Sequence, residues 1–123
     1  MPNPEAHESV LVIEDDFECA SMVEELLSHS GYTVRIATNR DVGVQILRER
    51  HYDYLILDVA MPGMTVQEFL DKACIAKSRI VLTSAVVEPQ AVAQRLGLKH
   101  WLAKPFDPVK LLAVMQSTQT AEQ

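Results

Sequence analysis

The chain has 123 residues, 48% of them apolar and 23% charged, which suits one hydrophobic core and is too short for two ordinary domains. Its 17 acidic residues against 11 basic ones give a net charge of -6, a balance that argues against a nonspecific nucleic-acid or membrane surface. With two cysteines, no basic-then-apolar leader and no apolar run near the ~20 residues that cross a bilayer, the expected setting is cytoplasmic, with no direct nucleic-acid or membrane contact.

Residues 1–8 are polar, carry two prolines and read as a flexible leader. Val10-Leu11-Val12-Ile13 is a short apolar run rich in β-branched residues, the pattern of a strand covered on both faces, and Glu14-Asp15-Asp16 follows at once. From Phe17 to Ser30 the spacing predicts a helix with Phe17, Ala20, Met22, Val23, Leu26 and Leu27 inward and Gly31 just past its end.

Thr33 to Ala37 reads as a second strand. Thr38 or Asn39 can cap the next helix, which buries Val42, Val44, Ile46 and Leu47 and turns Arg40, Arg48, Glu49 and Arg50 to water. A third strand, 53–57, ends in Asp58. The loop through Met61-Pro62-Gly63-Met64 is fixed by proline and glycine, and a helix from Val66 to Ala76 turns Phe69, Leu70 and Ala73 inward.

Arg79 to Thr83 is the fourth strand, and Pro89 opens a short helix that stops near Gly97. Trp101-Leu102-Ala103, with His100, forms the fifth strand and runs into Lys104-Pro105-Phe106. Asp107 caps the last helix with Pro108 at its first position, and Val109, Leu111, Leu112 and Met115 make its apolar face. Residues 116–123 are polar, and 119–123 read as a frayed tail. Cys19 and Cys74 sit in apolar helical patterns and read as buried free thiols.

Alternating strand and helix predict a doubly wound α/β fold: a parallel sheet with helices on both faces and right-handed crossovers, spanning residues 9–118. Such sheets build their sites at the carboxyl ends of strands. Glu14-Asp15-Asp16, Asp58, Thr83-Ser84 and Lys104 would therefore converge. Crowded carboxylates are costly unless a cation relieves them, which implies a hard divalent metal, Mg²⁺ or its substitute Mn²⁺.

Asp58 is the candidate nucleophile toward phosphorus, forming an acyl phosphate. Asp15, with Asp16 or Glu14 behind it, can hold the metal, and the carbonyl of Ala60 is placed to join Asp58 as a ligand. Lys104 can pair first with the carboxylates and then with the phosphoryl group; an ordinary surface lysine is the bland alternative. The Thr83 hydroxyl can bond a phosphoryl oxygen by moving inward, vacating a space for an aromatic ring. Trp101 is the candidate ring, against plain core packing; Ser84 competes with Thr83 for the hydroxyl's role, since the two point to opposite sides of the strand and either can face the pocket.

On these residues the chain resembles a receiver domain of the two-component response regulators, of the chemotaxis-protein type. The matching segments are Val10 through Asp16, Leu55-Ile56-Leu57-Asp58 with Met61-Pro62-Gly63-Met64, Ile80 through Ala85, and Trp101 through Asp107. The resemblance implies a flavodoxin-like (β/α)5 sheet in the order 2-1-3-4-5, with two helices on one face and three on the other. It puts Asp58 on the phosphoacceptor, Asp15 on the direct metal ligand and Glu14 on the acid that helps through water. Lys104 falls on the family's lysine, Thr83 on its switch hydroxyl and Trp101 on its aromatic switch.

It further implies phosphoryl transfer from a sensor histidine kinase or histidine phosphotransfer protein, with acetyl phosphate as a substitute donor, and self-catalysed hydrolysis as the reset. With no second domain in the sequence, output would leave through the helix 4, strand 5, helix 5 face, to a downstream protein or a homodimer, unless the chain is a domain of a longer protein. Three departures stand out: Thr65-Val66 replaces the common Asp-Gly, the stretch from Asp58 to Thr83 is short, which would trim helix three or its exit loop, and Trp101 is larger than the usual tyrosine or phenylalanine. The rival readings are a scaffold that binds partners without phosphorylation and a phosphatase of the haloacid-dehalogenase type. The latter wants a second aspartate two residues past the nucleophile, where Ala60 stands.

Overall fold

The most apolar runs of the sequence become the inner strands, because a strand covered by helices on both faces must be apolar on both. In the computed structural model, which describes residues 8–85 and 88–121, these are β1 (Ser9–Ile13), β3 (Tyr54–Asp58) and β4 (Ile80–Ser84). The edge strands are β2 (Thr33–Ala37) and β5 (His100–Ala103), and all five are parallel in the order β2-β1-β3-β4-β5. The five helices are α1 (Phe17–His29), α2 (Arg40–Glu49), α3 (Val66–Lys72), α4 (Pro89–Leu96) and α5 (Pro108–Ala121).

Alternation along each strand divides the core into two layers. Leu11, Ile13, Leu55, Leu57, Ile80 and Leu82 meet α2, α3 and α4 through residues such as Leu47, Phe69 and Ala93. Val10, Val12, Tyr54, Ile56, Val81 and Leu102 meet α1 and α5 through Val23, Leu27, Leu111 and Met115. Truncating a wholly buried leucine such as Leu55 costs on the order of 2–5 kcal/mol, the transfer term plus the cavity left behind. Gly43 on α2 lies so close to β1 that an added Cβ would collide with the Ile13 side chain.

The chain ends each helix by local chemistry. The carboxylate of Asp16 accepts from the backbone N–H groups of Glu18 (3.0 Å) and Cys19 (3.4 Å) at the start of α1, and Asn39 accepts from Val42 N–H at 2.8 Å at the start of α2. Thr65 caps α3: its Oγ1 accepts from Glu68 N–H at 3.1 Å, and its hydroxyl donates to Glu68 Oε1 at 3.1 Å. Gly63 supplies the positive φ of the preceding loop, +90°, so a turn without the common Asp-Gly is still closed. Pro89 opens α4, and Gly97 ends it in the left-handed conformation.

Several sequence expectations are corrected. The third helix stops at Lys72, four residues short of Ala76, and a single 3-10 turn, Lys77–Arg79, leads into β4. The last helix does not fray at Gln116 but continues to Ala121, and Thr118 is buried within it; residues 1–7 of the leader and 122–123 of the tail lie outside the described residues. Phe17, Met22, Val42 and Val109, read as inward, are exposed, Phe17 at 82% and Val109 at 75%. Cys19 is half-buried and Cys74 exposed, because the third helix ends before Cys74. Arg40, expected in water, is 2% exposed. No helix among the described residues is long and apolar enough to cross a membrane.

Candidate functional site

Parallel pairing brings the carboxyl ends of β1, β3 and β4 to one edge, since Ile13 pairs with Leu57 and Asp58 with Thr83. Glu14, Asp15 and Asp58 thereby offer carboxylate oxygens that all lie within 4.8 Å of one another. Glu14 and Asp58 are buried while Asp15 is exposed, so the cluster has a closed floor and an open mouth. Asp16 is engaged as the cap of α1, whereas the carboxylates that cluster with Asp58 are those of Glu14 and Asp15.

Lys104 closes the cluster from β5. Its backbone N–H donates to the carbonyl of Ser84 at 2.7 Å, one residue beyond the strand, and a cis peptide joins it to Pro105. Its ammonium donates to Glu14 Oε1 and lies 3.3 Å from Asp58 Oδ1. Thr83 and Ser84 are both buried; Thr83 lies directly beside Asp58 in the ladder, and its carbonyl accepts from Val59 N–H at 2.9 Å. Ala60 N–H is 3.5 Å from Asp58 Oδ1. Trp101 is half-buried against the layer of α2, α3 and α4, three residues from Lys104 on the same strand.

The electrostatics follow from this packing. Burial raises the Asp58 carboxyl, and the adjacent Glu14 charge raises it further against the pull of Lys104. Burial also works to raise Glu14, but hydrogen bonds from Lys104, Cys19 and the Asp16 N–H outweigh it and hold Glu14 below its ordinary value. Burial works against the Lys104 charge, yet its bond to Glu14 and the charge of Asp58 keep its pKa raised. The Cys19 thiol is pushed up to about 11 by burial and by Glu14. The site thus holds one carboxylate committed to the lysine and a second, Asp58, whose charge is poorly compensated.

Sequence reasoning missed Arg40. It stands at the first turn of α2, where helical periodicity and its charge pointed to solvent, but its guanidinium reaches beneath the loop after β3. Nη2 donates to the carbonyls of Asp58 (2.9 Å) and Val59 (2.8 Å), and Nη1 to those of Met61 (3.1 Å) and Met64 (2.6 Å). Burial lowers its pKa, opposed by the charges of Asp58 and Asp15. No local signal in the sequence distinguishes it from a solvated arginine.

Comparison with known proteins agrees with this arrangement. The family model of the response regulator receiver domain matches residues 10–116, and the chain belongs to that family. It is 30% identical to the two-component response regulator ARR14 of Arabidopsis thaliana over 113 residues, 87% of this chain and 30% of the relative. It is 31% identical to the transcriptional regulatory protein DltR of Streptococcus agalactiae over 108 residues, 85% of this chain and 48% of the relative. The chain thus spans less than half the length of these two curated relatives. Among solved structures, the chemotaxis response regulator CheY4 of Vibrio cholerae superposes with a TM-score of 0.81 at 28% identity, covering 92% of this chain and 99% of that one.

Proposed function

We propose that this receiver domain takes a phosphoryl group onto Asp58 and returns it to water, switching a partner-binding surface between the two states. The observation that carries the reading is the meeting of Asp15, Glu14 and Asp58 with the ammonium of Lys104 at the ends of neighbouring strands. An oxygen of Asp58 attacks phosphorus in line, the phosphorus–nitrogen bond of a donor phosphohistidine breaks, and the imidazole leaves with the bonding pair. Hydrolysis reverses the gain: water attacks phosphorus, and the Asp58 carboxylate is released.

The donor set is all oxygen, which suits Mg²⁺, or Mn²⁺ in its place, with Asp15, Asp58 and the Ala60 carbonyl as direct ligands and Glu14 acting through water. A divalent cation there would neutralise the charges that otherwise repel an incoming phosphate. Lys104 can then exchange a carboxylate for a phosphoryl oxygen. The Thr83 hydroxyl, neighbour to Asp58, is the group placed to follow the phosphoryl group, and Trp101 is the ring that would register its movement.

The family supports a sensor histidine kinase or histidine phosphotransfer protein as the donor. Exposed Phe17 and Val109 lie at the first turns of α1 and α5, the helices that open on either side of Asp16 and Phe106, and they give such a partner apolar purchase near the acceptor. The surface of α4, β5 and α5 is the proposed output face, toward a downstream protein or a second copy of the chain. The acidic net charge supports an output through protein rather than through direct nucleic-acid binding. A scaffold without chemistry was motivated by Thr65-Val66, but Thr65 caps α3 and leaves the acidic cluster assembled.

The test is incubation of the protein with Mg²⁺ and acetyl phosphate, followed by intact mass and Trp101 fluorescence. One phosphoryl group on Asp58, absent when Mg²⁺ is chelated, is the expected result. No incorporation, and no Trp101 response to beryllofluoride, would return the reading to the scaffold.

A further inference from the structure

Arg40 makes an arrangement that the proposed chemistry leaves unexplained. Its guanidinium is buried and donates to four main-chain carbonyls, those of Asp58, Val59, Met61 and Met64. Its Nε is buried without a hydrogen-bond partner among the described residues. A buried cation satisfied by neutral groups alone is expensive, so an apolar side chain would serve simple packing better. Two features use what only a guanidinium supplies.

The first is geometric. The rigid fork of an arginine takes several acceptors in one fixed pattern, and here they come from both ends of the loop between β3 and α3. From Asp58 to Met61, Ala60 is the one residue whose carbonyl Arg40 does not engage. Ala60 is also the residue whose carbonyl the proposed metal site needs, and its N–H already lies 3.5 Å from Asp58 Oδ1. The second is electrostatic: Arg40 feels the charges of Asp58 and Asp15 and sits behind them, lowering the cost of gathering carboxylates at the mouth.

Resting on the receiver chemistry proposed above, we infer that Arg40 is a positioning residue for the divalent cation. Its four-carbonyl clamp fixes the loop so that the Ala60 carbonyl remains available beside Asp15 and Asp58, and this sets Mg²⁺ affinity. Gly63 supplies the loop's positive φ and Thr65 caps the helix that follows; Arg40 ties the start of the loop to its end. The clamp stands where Thr65-Val66 replaces the more usual loop sequence and gives the loop its fixed shape by another route.

The experiment is calorimetric titration of the full chain with Mg²⁺ alone, for the parent, Arg40→Met and Arg40→Lys, with Thr65→Ala as a loop variant that leaves the clamp intact. Partners one layer behind a metal's ligands typically cost about 10–100-fold in affinity when removed. Arg40→Met is therefore expected to weaken Mg²⁺ binding about tenfold or more, while Thr65→Ala stays within about twofold of the parent. Acetyl phosphate labelling in Arg40→Met should be slow at low Mg²⁺ and recover at saturating Mg²⁺, a split that general loss of structure would not give.

If Arg40→Met does not fold, Arg40→Lys decides, since an ammonium keeps the charge but cannot fork to four carbonyls. A loss of about threefold or more in Mg²⁺ affinity supports the inference, and a smaller one overturns it. A parent that neither binds Mg²⁺ nor labels sinks the receiver chemistry itself. A parent that does both, beside an Arg40→Met protein of unchanged affinity, sinks this inference alone.

Discussion

The ammonium of Lys104 lies 3.3 Å from Asp58 Oδ1 while hydrogen-bonded to Glu14, so a single cation from β5 compensates carboxylates from the ends of β1 and β3. Replacing it with an apolar chain leaves two buried carboxylates facing each other. Lys104→Met should destabilise the metal-free protein by about 1–3 kcal/mol at pH 7, as a buried charged partner is lost. Mg²⁺ bound at the proposed site would supply the missing counter-charge, so thermal unfolding should show a larger metal-induced rise in Tm for Lys104→Met than for the parent. An equal or smaller rise would separate the lysine from the metal's role.

The two buried carboxylates should give opposite pH signatures in chelator. Glu14 is held below its ordinary value of 4.5, so its contribution to stability is present above pH 4.5 and lost as the pH falls through its folded pKa. Asp58 is raised above 3.8; the folded state then holds its proton more tightly, and the carboxyl opposes folding increasingly as the pH climbs from 3.8 through its folded pKa. Denaturant unfolding followed from neutral pH down through the ordinary carboxyl range should show Glu14→Gln weaker by about 1–3 kcal/mol at neutral pH, with the deficit closing in acid. Asp58→Asn should be no less stable than the parent at pH 7, and any advantage should vanish toward pH 3.8 while phosphoryl labelling is abolished throughout.

Exposed Phe17 and Val109 should matter to the protein donor and not to the chemistry. Phe17→Ser and Val109→Ser should leave labelling by acetyl phosphate unchanged. Transfer from a phosphohistidine donor should fall by about fivefold to thirtyfold in kcat/KM for each, the equivalent of losing one buried apolar side chain at a docking surface. Equal loss with both donors would move these residues into the fold's support.

Gly43 on α2 faces the Ile13 side chain of β1 with no room for a Cβ between them. Gly43→Ala should cost about 1–3 kcal/mol through collision with Ile13, despite alanine's better helix propensity. Chemical denaturation measures it directly; a stabilised variant would mean that Ile13 can turn away freely.

The thiols should separate cleanly in reaction with an alkylating agent near pH 7.5. Cys74 is exposed, whereas the Cys19 thiol is half-buried with its pKa pushed up to about 11 beside Glu14. Cys74 should be modified first by a wide margin. Comparable rates at Cys19 would contradict its burial and its contact with Glu14.

Much of this was legible in the sequence because parallel strands sandwiched between helices are apolar at every position. Val10–Ile13 and Leu55–Leu57 needed no comparison to be placed, and Glu14, Asp15, Asp58 and Lys104 followed as the residues at strand ends. Periodicity failed where a residue's partner is distant in sequence. Arg40 looks solvated from within its own helix, and only the loop at 58–64 shows why it is inside. Phe17 and Val109 failed the other way: each fits its helix's apolar spacing, yet stands in the first turn and is exposed. The early end of α3 was legible in length rather than in local pattern: the apolar spacing continues through Ala73, but the short stretch from Asp58 to Thr83 leaves room only for a trimmed helix, Val66–Lys72.

The hydrogen bonds from Val59 N–H to Thr83 and from Lys104 N–H to Ser84 carry the sheet's own lattice one step past its strands. The backbone beside Asp58 and that of Lys104 are therefore held by main-chain groups, independently of what the surrounding loops display. Such a scaffold can be repainted at its rim for new correspondents while its reactive atoms stay in register, which makes it a natural chassis for rewiring one signal to another.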